Sequence, residues 1–338
     1  MVDLRSDTVT RPCAAMRRAM VEAEVGDDVL GDDPTVDRLQ EAAARLTGKE
    51  AALFVPSGTM SNTIAIRVHT RPGDEVLMDA DAHSMRYEVG APAAICGVLT
   101  RSFRGAAGVP DPASIAESIT AADLHAPGTT LIVVENTHNS AGGVVVPLDV
   151  HRQVYAIASE RGVRVHVDGA RIFNASVAAG VSVASFAACA DSLTFCLSKG
   201  LGCPVGSVLC GDHAFVERAR RVRKLLGGGM RQAGVLAACG LAALDTMVER
   251  LVDDHHNARR LAEGIAGLPG VHVDPRAVAT NMVYARIDGP ASGIVERLAA
   301  RRVLCLATAP DRIRMVTHCD VDEDDVGRAV RAWTAATT

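Results

Sequence analysis

The sequence predicts an α/β fold, in which a mostly parallel β-sheet is covered by helices on both faces and a smaller α+β domain follows. Short apolar, β-branched runs such as 131–135 and 163–167 recur along the first two thirds of the chain, separated by segments with helical periodicity. These runs are apolar throughout rather than alternating, which is typical of strands buried on both faces. A long alanine-rich stretch then separates them from a last group of short strands and helices.

The predicted elements of the first two thirds follow in a regular order. A polar arm over 3–11 precedes Pro12, which suits the first turn of a helix through about residue 22. A loop rich in glycine and aspartate over 25–33 leads into a helix over 34–46. Strands are predicted at 51–55, 75–78, 131–135, 163–167, 193–197 and 206–210. Helices are predicted between them at 59–69, 150–161 and 214–224.

The last part of the chain predicts a separate small domain. Residues 231–267 form a helical stretch, either one bent helix or two, which leads out of the large domain. Further strands are predicted near Val271 and at 282–287, 303–306 and 313–316, with helices near Ser292 and Asp322. We therefore predict an N-terminal arm at 1–15, a large α/β domain at 16–245 and a small α+β domain at 246–338.

Composition excludes several classes of protein. Hydrophobic residues make up 48% and aromatic residues 3%, so alanine, valine and leucine must fill the core. The net charge of −5 comes from well-mixed signs, which argues against a nucleic-acid or membrane partner. We find neither an apolar signal segment nor a membrane-spanning run. The nine cysteines include no Cys-x-x-Cys pair, so we expect free thiols in a reducing cytoplasm and no metal site.

Two charged residues at predicted strand ends are the most informative feature. Lys199 follows the run 193–197, and burial at a strand end favours the neutral, nucleophilic form of an amine. Asp168 follows the run 163–167. A lysine for a Schiff base and an aspartate for a pyridinium nitrogen are the pair that pyridoxal phosphate (PLP) enzymes need. The alternative is two ordinary strand-end charges, but together they predict PLP as the cofactor.

Two further segments suit a phosphorylated, flat cofactor. Ser57, Gly58 and Thr59 join a strand to a helix, where backbone N–H groups and hydroxyls favour an anion such as the cofactor phosphate. The alternative is an ordinary helix N-cap at the same residues. His83 follows another strand and can stack on the cofactor ring while facing a substrate hydroxyl, whereas a solvated loop histidine would look the same.

Three arginines are candidates for binding anions. Arg171 lies three residues after Asp168 and can reach the ring oxygen or a substrate carboxylate. Arg231 follows a glycine triplet whose backbone can approach a phosphate, although a flexible loop explains the triplet equally well. Arg314 alternates with apolar residues on a small-domain strand and can bind a carboxylate through paired hydrogen bonds, with Arg312 as its competitor on the same face.

With these residues in view, the chain resembles the low-specificity L-threonine and L-allo-threonine aldolases along nearly its whole length. The matching stretches are 3–10, 24–28, 56–60, 135–139, 166–174, 195–200, 226–232 and 316–318. The resemblance implies the aspartate aminotransferase fold, fold type I of PLP enzymes. It also implies a homotetramer, a dimer of dimers, with sites at subunit interfaces. The chain departs from the family pattern around Ser84, Met85 and Cys203.

The same resemblance implies roles for individual residues. Lys199 would carry the cofactor, Asp168 would pair with its ring nitrogen and His83 would stack on the ring. The phosphate would be held by Gly58, Thr59 and Arg231. The substrate would be bound by Ser6, Tyr87, Arg171 and Arg314, with His125 near its β-hydroxyl. The catalytic base would be His83, His125 or a water held by both.

The expected reaction is reversible cleavage of L-threonine, L-allo-threonine and other β-hydroxy-α-amino acids to glycine and an aldehyde such as acetaldehyde. An aminotransferase or a β-eliminating lyase with the same lysine and aspartate is the alternative. A nicotinamide-dependent dehydrogenase is disfavoured because no early Gly-x-Gly-x-x-Gly turn is present. A PLP-binding protein without catalytic activity is a further, minor alternative.

Overall fold

The computed structural model describes residues 1–103 and 105–338. The strands are β1 (Val2–Asp3), β2 (Ala51–Val55), β3 (Glu75–Asp79), β4 (Leu99–Phe103), β5 (Gly105–Ala106), β6 (Val109–Pro110), β7 (Thr129–Glu135), β8 (Arg164–Asp168), β9 (Ser192–Cys196), β10 (Ser207–Gly211), β11 (Val271–His272), β12 (Met282–Ile287), β13 (Val303–Leu304), β14 (Leu306–Ala309) and β15 (Arg312–Val316).

The helices are α1 (Ala14–Val21), α2 (Pro34–Thr47), α3 (Gly58–His69), α4 (His83–Arg86), α5 (Pro112–Ser118), α6 (Leu148–Glu160), α7 (Ile172–Ala179), α8 (Val183–Ala187), α9 (His213–Leu225), α10 (Gly234–Thr246), α11 (Leu251–Ile265), α12 (Ala291–Ala300) and α13 (Glu323–Thr337). The 231–267 stretch is thus two helices, α10 and α11. None of the helices over 1–103 and 105–338 is both long enough and apolar enough to span a bilayer.

The central sheet has seven strands in the order β2-β10-β9-β8-β7-β3-β4. Every pair is parallel except those of β10, which runs antiparallel to β2 and β9. The predicted mostly parallel sheet is therefore confirmed. In the register of β7 and β8, Glu135 lies opposite Asp168, so both carboxylates meet at the carboxyl edge of the sheet. This edge is where open α/β folds bind their ligands.

A second core surrounds Trp333 under the sheet β11-β12-β15-β14. The N-terminal arm belongs to this core, because Val2 and Leu4 are buried in it and β1 pairs with β13 in parallel. The arm also reaches the large core, since Asp7 bonds to Arg171. The boundaries at 15/16 and 245/246 stay a prediction.

Several elements differ from the prediction. The first helix begins at Ala14 rather than Pro12, because Cys13 is its extended N-cap. The predicted strand at 303–306 divides into β13 and β14, which pair with different strands. Strand β4 was not predicted, because it lies at the sheet edge and is largely exposed.

Candidate active site

A cavity of about 380 Å³ opens between the large core and the small-domain sheet. Six residues predicted to form the site line it: Ser6, His83, Tyr87, Arg171, Lys199 and Arg314. They come from the N-terminal arm, α4, the loop after β8, the loop after β9 and strand β15. The fold thus brings together residues from distant parts of the chain at the carboxyl edge of the sheet.

Lys199 lies three residues beyond the end of β9. Its side chain is half-buried and faces the cavity, so the amine is accessible as well as shielded. The turn behind it is closed by Gly202, whose N–H donates to the Lys199 carbonyl oxygen at 2.8 Å. Because Gly202 has a φ of +75°, a side chain at this position would be strained.

Asp168 ends β8 as a buried carboxylate. Asn62 Nδ2 donates to its Oδ2 at 2.8 Å, and the N–H of Ala170 donates to its Oδ1 at 3.2 Å. No lysine or arginine of the described residues forms an ion pair with it. A buried carboxyl group held only by neutral donors suits a cationic partner such as a protonated pyridine nitrogen.

His83 is held by two buried acids. Its Nδ1 lies 2.9 Å from Oε1 of Glu88, and its backbone N–H donates to Oε2 of Glu135 at 2.7 Å. Burial lowers the pKa of His83, but the hydrogen bond to Glu88 and the charge of Asp168 outweigh it and raise the pKa overall. Burial also raises the pKa of Glu88. Because the pKa values of His83 and Glu88 are both raised, the pair retains a proton more firmly than it would in water.

Arg171 forms an ion pair with Asp7, an acid that the sequence analysis did not identify. Its Nε and Nη2 donate to the two carboxylate oxygens of Asp7, each at 2.7 Å. Both side chains are buried, and Asn281 Nδ2 also donates to Asp7 at 3.3 Å. The protons left free on Arg171 are those of Nη1 and one on Nη2, so any contact with a ligand uses that side of the guanidinium.

The structure separates the competing arginines of β15. Arg314 lines the cavity, where Nη1 donates to Asn139 Oδ1 and Nη2 to the carbonyl oxygen of Arg5. Its Nε is buried without a partner among the described residues. Arg312 instead lies over the Tyr284 ring, 4.9 Å from its centroid, and donates to Thr308. Of the two arginines, Arg314 is thus the one that lines this cavity, and its role in binding a carboxylate stays a prediction.

The predicted phosphate segment begins α3. Ser57 is its N-cap and accepts from the N–H of Met60 at 3.2 Å, as the N-cap alternative requires. The hydroxyl proton of Ser57 stays available to an anion, as do the first N–H groups of the helix. Gly58 lies against Cys196, since a Cβ on Gly58 would come within 2.7 Å of its sulfur. This helix end therefore packs against the strand that leads to Lys199.

Six predicted residues do not line this cavity: Ser57, Gly58, Thr59, His125, Asp168 and Arg231. His125 is exposed in the loop between α5 and β7, where its backbone N–H donates to Asp123. Arg231 is also exposed and pairs with Asp27 at 2.8 Å. Their roles stay predictions.

Four residues that hold the site were missed by sequence reasoning: Asp7, Asn62, Glu88 and Glu135. Asp7 and Glu88 are acids within five positions of the predicted Ser6 and His83, which was a usable signal. Asn62 has no such signal, because only the packing of α3 on β8 brings it to Asp168.

Comparisons with known proteins show the family and the fold of the chain. Residues 3–288 match the family model described as beta-eliminating lyase. The probable low-specificity L-threonine aldolase 2 of Arabidopsis thaliana is 46% identical over 333 residues, covering 96% of this chain and 94% of that protein. The low specificity L-threonine aldolase of Escherichia coli K12 is 44% identical over 339 residues, covering 99% of each. The solved threonine aldolase structure of Leishmania major superimposes with a TM-score of 0.85 at 18% identity and full coverage.

The fold is therefore fold type I of the PLP-dependent enzymes, as predicted. The chain belongs to the beta-eliminating lyase family and, within it, to the low-specificity L-threonine aldolases.

Proposed function

We propose that this protein cleaves the Cα–Cβ bond of L-threonine, L-allo-threonine and other β-hydroxy-α-amino acids, giving glycine and an aldehyde such as acetaldehyde. The observation that carries the proposal is one cavity lined by a lysine, a histidine and an arginine: Lys199, His83 and Arg314. The aldolases that share 44–46% identity with the chain support the same reaction.

The cofactor of this proposal is PLP. Lys199 offers the amine that binds it, Asp168 the buried carboxylate for its ring nitrogen, and the start of α3 donors for its phosphate. When bound, PLP supplies a ring that accepts the electron pair left on the substrate's Cα.

The chain's own residues orient the substrate. The carboxylate fits between Arg314 and Ser6, both of which line the cavity. Holding the carboxylate fixes the rotation about the bonds to Cα, and that orientation selects the bond that breaks.

A base must remove the proton of the β-hydroxyl group. His83 suits this role, since its Nδ1 is bonded to Glu88 and its Nε2 is free to accept a proton in the cavity. His125 is the competing base and would act only if it reached the cavity from another copy. Replacing each histidine separately distinguishes them, because turnover should fall sharply for the base alone.

The central experiment tests the lysine and the products together. The chain has three lysines, Lys49, Lys199 and Lys224. Borohydride treatment of the PLP-loaded protein, followed by peptide mapping, should label Lys199, and K199A should abolish the label whereas K224A should retain it. A label on Lys49 or Lys224 would contradict the proposal.

The same protein should release glycine and acetaldehyde from L-threonine or L-allo-threonine without any keto acid, and not from the D-enantiomers. An aminotransferase would make neither product without an acceptor. A β-eliminating lyase, which the description of the family model keeps as the second candidate, would release ammonia and a keto acid instead.

We further propose that the protein is a cytoplasmic homotetramer, a dimer of dimers with sites at subunit interfaces. The nine free cysteines support a reducing compartment. Support for assembly comes from one face, where Arg231 pairs with Asp27 and where Leu30 and Leu225 are 76% exposed in adjoining segments. Light scattering of the purified protein measures the assembly directly, and a monomer would contradict it.

A further inference from the structure

A chain of buried polar side chains runs behind the site and ends at His83. It begins at His69, whose Nε2 lies 2.8 Å from Ser192 Oγ, and Ser192 Oγ lies 2.8 Å from His166 Nδ1. His166 Nε2 then lies 3.3 Å from Asn62 Oδ1. Ser192, His166 and Asn62 are almost completely buried, so their hydrogen bonds must be satisfied within the protein.

The hydrogen-bond partners determine which way the Asn62 amide faces. Its Nδ2 donates to Asp168 Oδ2 and to Glu88 Oε1, each at 2.8 Å, and neither carboxylate oxygen has a proton to give if ionised. Asn62 Oδ1 is therefore the acceptor, and His166 Nε2–H is its donor. This requires a neutral His166 whose Nδ1 accepts from Ser192, and burial indeed lowers the pKa of His166 to about 4.

The Asn62 amide thus binds two carboxylates of the site, those of Asp168 and Glu88. One carboxylate oxygen of Asp168, one of Glu88 and one ring nitrogen of His83 lie within 4.8 Å of one another. The two buried acids are therefore close together, and Asn62 bridges them. Glu88 Oε1, which accepts from Asn62, is also the oxygen that binds His83 Nδ1. A fixed Glu88 keeps the imidazole proton on Nδ1, so Nε2 remains the free nitrogen at the cavity.

We propose that Asn62 is a positioning residue, which aims Asp168 at the cofactor's ring nitrogen and, through Glu88, fixes the tautomer of His83. The inference rests on the proposed function for its reaction, but its central test needs only PLP binding.

The first test replaces the amide without changing its shape. N62D keeps the side-chain volume but loses both donors, and N62A removes the group. The matched control is N257D, because Asn257 is also buried but lies on α11, where it donates to the carbonyl oxygen of Val321. Equilibrium dialysis should show that the dissociation constant for PLP rises at least tenfold in N62D and N62A. It should show no change in that constant for N257D. Unchanged affinity in both Asn62 variants would overturn the inference.

The second test acts through His166, which does not line the cavity. H166L removes the donor to Asn62 Oδ1, whereas H166Q retains an N–H that can replace it. We expect H166L to weaken PLP binding in the same direction as N62A, and H166Q to restore it. If H166L and the wild type bound PLP with equal affinity, the Asn62 amide would need no donor from His166. The proposed role of His166 in orienting Asn62 would then be wrong.

A pH profile separates positioning from packing. His83 faces Glu88 beyond α4, Glu135 at the end of β7, Asp168 at the end of β8 and Lys199 after β9. Without the bridging amide in N62A, Glu88 should take up a proton and no longer support a charged His83. The acidic limb of kcat/KM for L-threonine should therefore move to lower pH. A lower thermal midpoint with an unmoved limb and unchanged PLP affinity would mean that Asn62 only packs. Absence of glycine release by the wild type would contradict the proposed function and leave the dialysis result to decide the inference.

Discussion

At the scale of single residues, the site depends on buried charges whose partners come from far along the chain. Asp7 and Arg171 are the clearest pair, because both are buried and joined by two hydrogen bonds of 2.7 Å. Burial alone would raise the pKa of Asp7, but Arg171 more than offsets it and lowers the pKa to about 2. The pair therefore stabilises the fold fully above pH 3.8 and loses that contribution as pH falls through about 2.

We expect D7N to destabilise the protein by about 3–5 kcal/mol, since it leaves the Arg171 charge buried without a counterion. The loss should be the same at any pH between about 5.5 and 8, where Asp7 is ionised in both folded and unfolded chains. Urea unfolding measures it. The control is D288N, which breaks the exposed His272–Asp288 pair and should cost about 1 kcal/mol or less. Equal losses in the two variants would contradict the prediction.

Sequence analysis identified the residues of this site better than their partners. Lys199, Asp168 and His83 each follow an apolar strand, so a local pattern marks them. Asp7 and Arg171 are 164 positions apart, and no local pattern shows that they pair. Sequence reasoning consequently assigned Arg171 to a ligand. In the structure, its Nε–H and one Nη2–H donate to Asp7 instead.

At the scale of elements, the start of α3 shows how closely a helix end packs against the strand that leads to Lys199. Gly58 leaves room for the sulfur of Cys196 on β9, three residues before Lys199. A methyl group at Gly58 would lie 2.7 Å from that sulfur, which is closer than side chains pack. The absence of a side chain thus allows α3 to approach the strand that carries the lysine.

G58A should lower stability by about 1–3 kcal/mol and weaken PLP binding, because α3 must move away from β9. Replacing the sulfur as well, in G58A/C196A, should restore much of both quantities. Thermal unfolding and equilibrium dialysis on the two single variants and the double variant complete the cycle. Additive losses in the double variant would show that the two side chains do not compete for the same space.

Prediction of elements succeeded where burial was uniform. The strands of the large sheet that are buried on both faces were found to within two residues, since each is a continuous apolar run. The edge strand β4 has mostly exposed side chains and therefore no such run. The break between β13 and β14 could not be predicted from the local sequence either. It depends on the pairing of β13 with β1, which comes from the opposite end of the chain.

At the scale of the whole molecule, neutral histidines that are buried or half-buried couple the free energy of unfolding to pH. Burial lowers the pKa of His69 to about 3 and the pKa values of His151, His166 and His255 to about 4. The unfolded chain protonates these groups near pH 6.5, whereas the folded chain resists until far lower pH. The unfolded state therefore binds more protons in this range, and stability must fall as pH drops below 6.5.

We expect the free energy of unfolding to decrease steadily from about pH 6.5 to about pH 4.5. H255Q should make the slope shallower by about one proton, because glutamine can still accept from Asn174 but does not titrate. Urea titrations of wild type and H255Q at several pH values test this. A free energy that stays level over the whole range would contradict it.

The N-terminal arm is attached to both cores. Leu4 is bonded to the small-domain strands through Leu304 and Val316, while Asp7 is fixed to Arg171 in the large core. Only Arg5 and Ser6 lie between these two attachments. Asp7 also accepts a hydrogen bond from Asn281, which directly precedes β12 of the small-domain sheet, so this end of the arm contacts both cores. Ser6 lies between the two attachments and faces the cavity, so the position of its hydroxyl group depends on contacts with both cores.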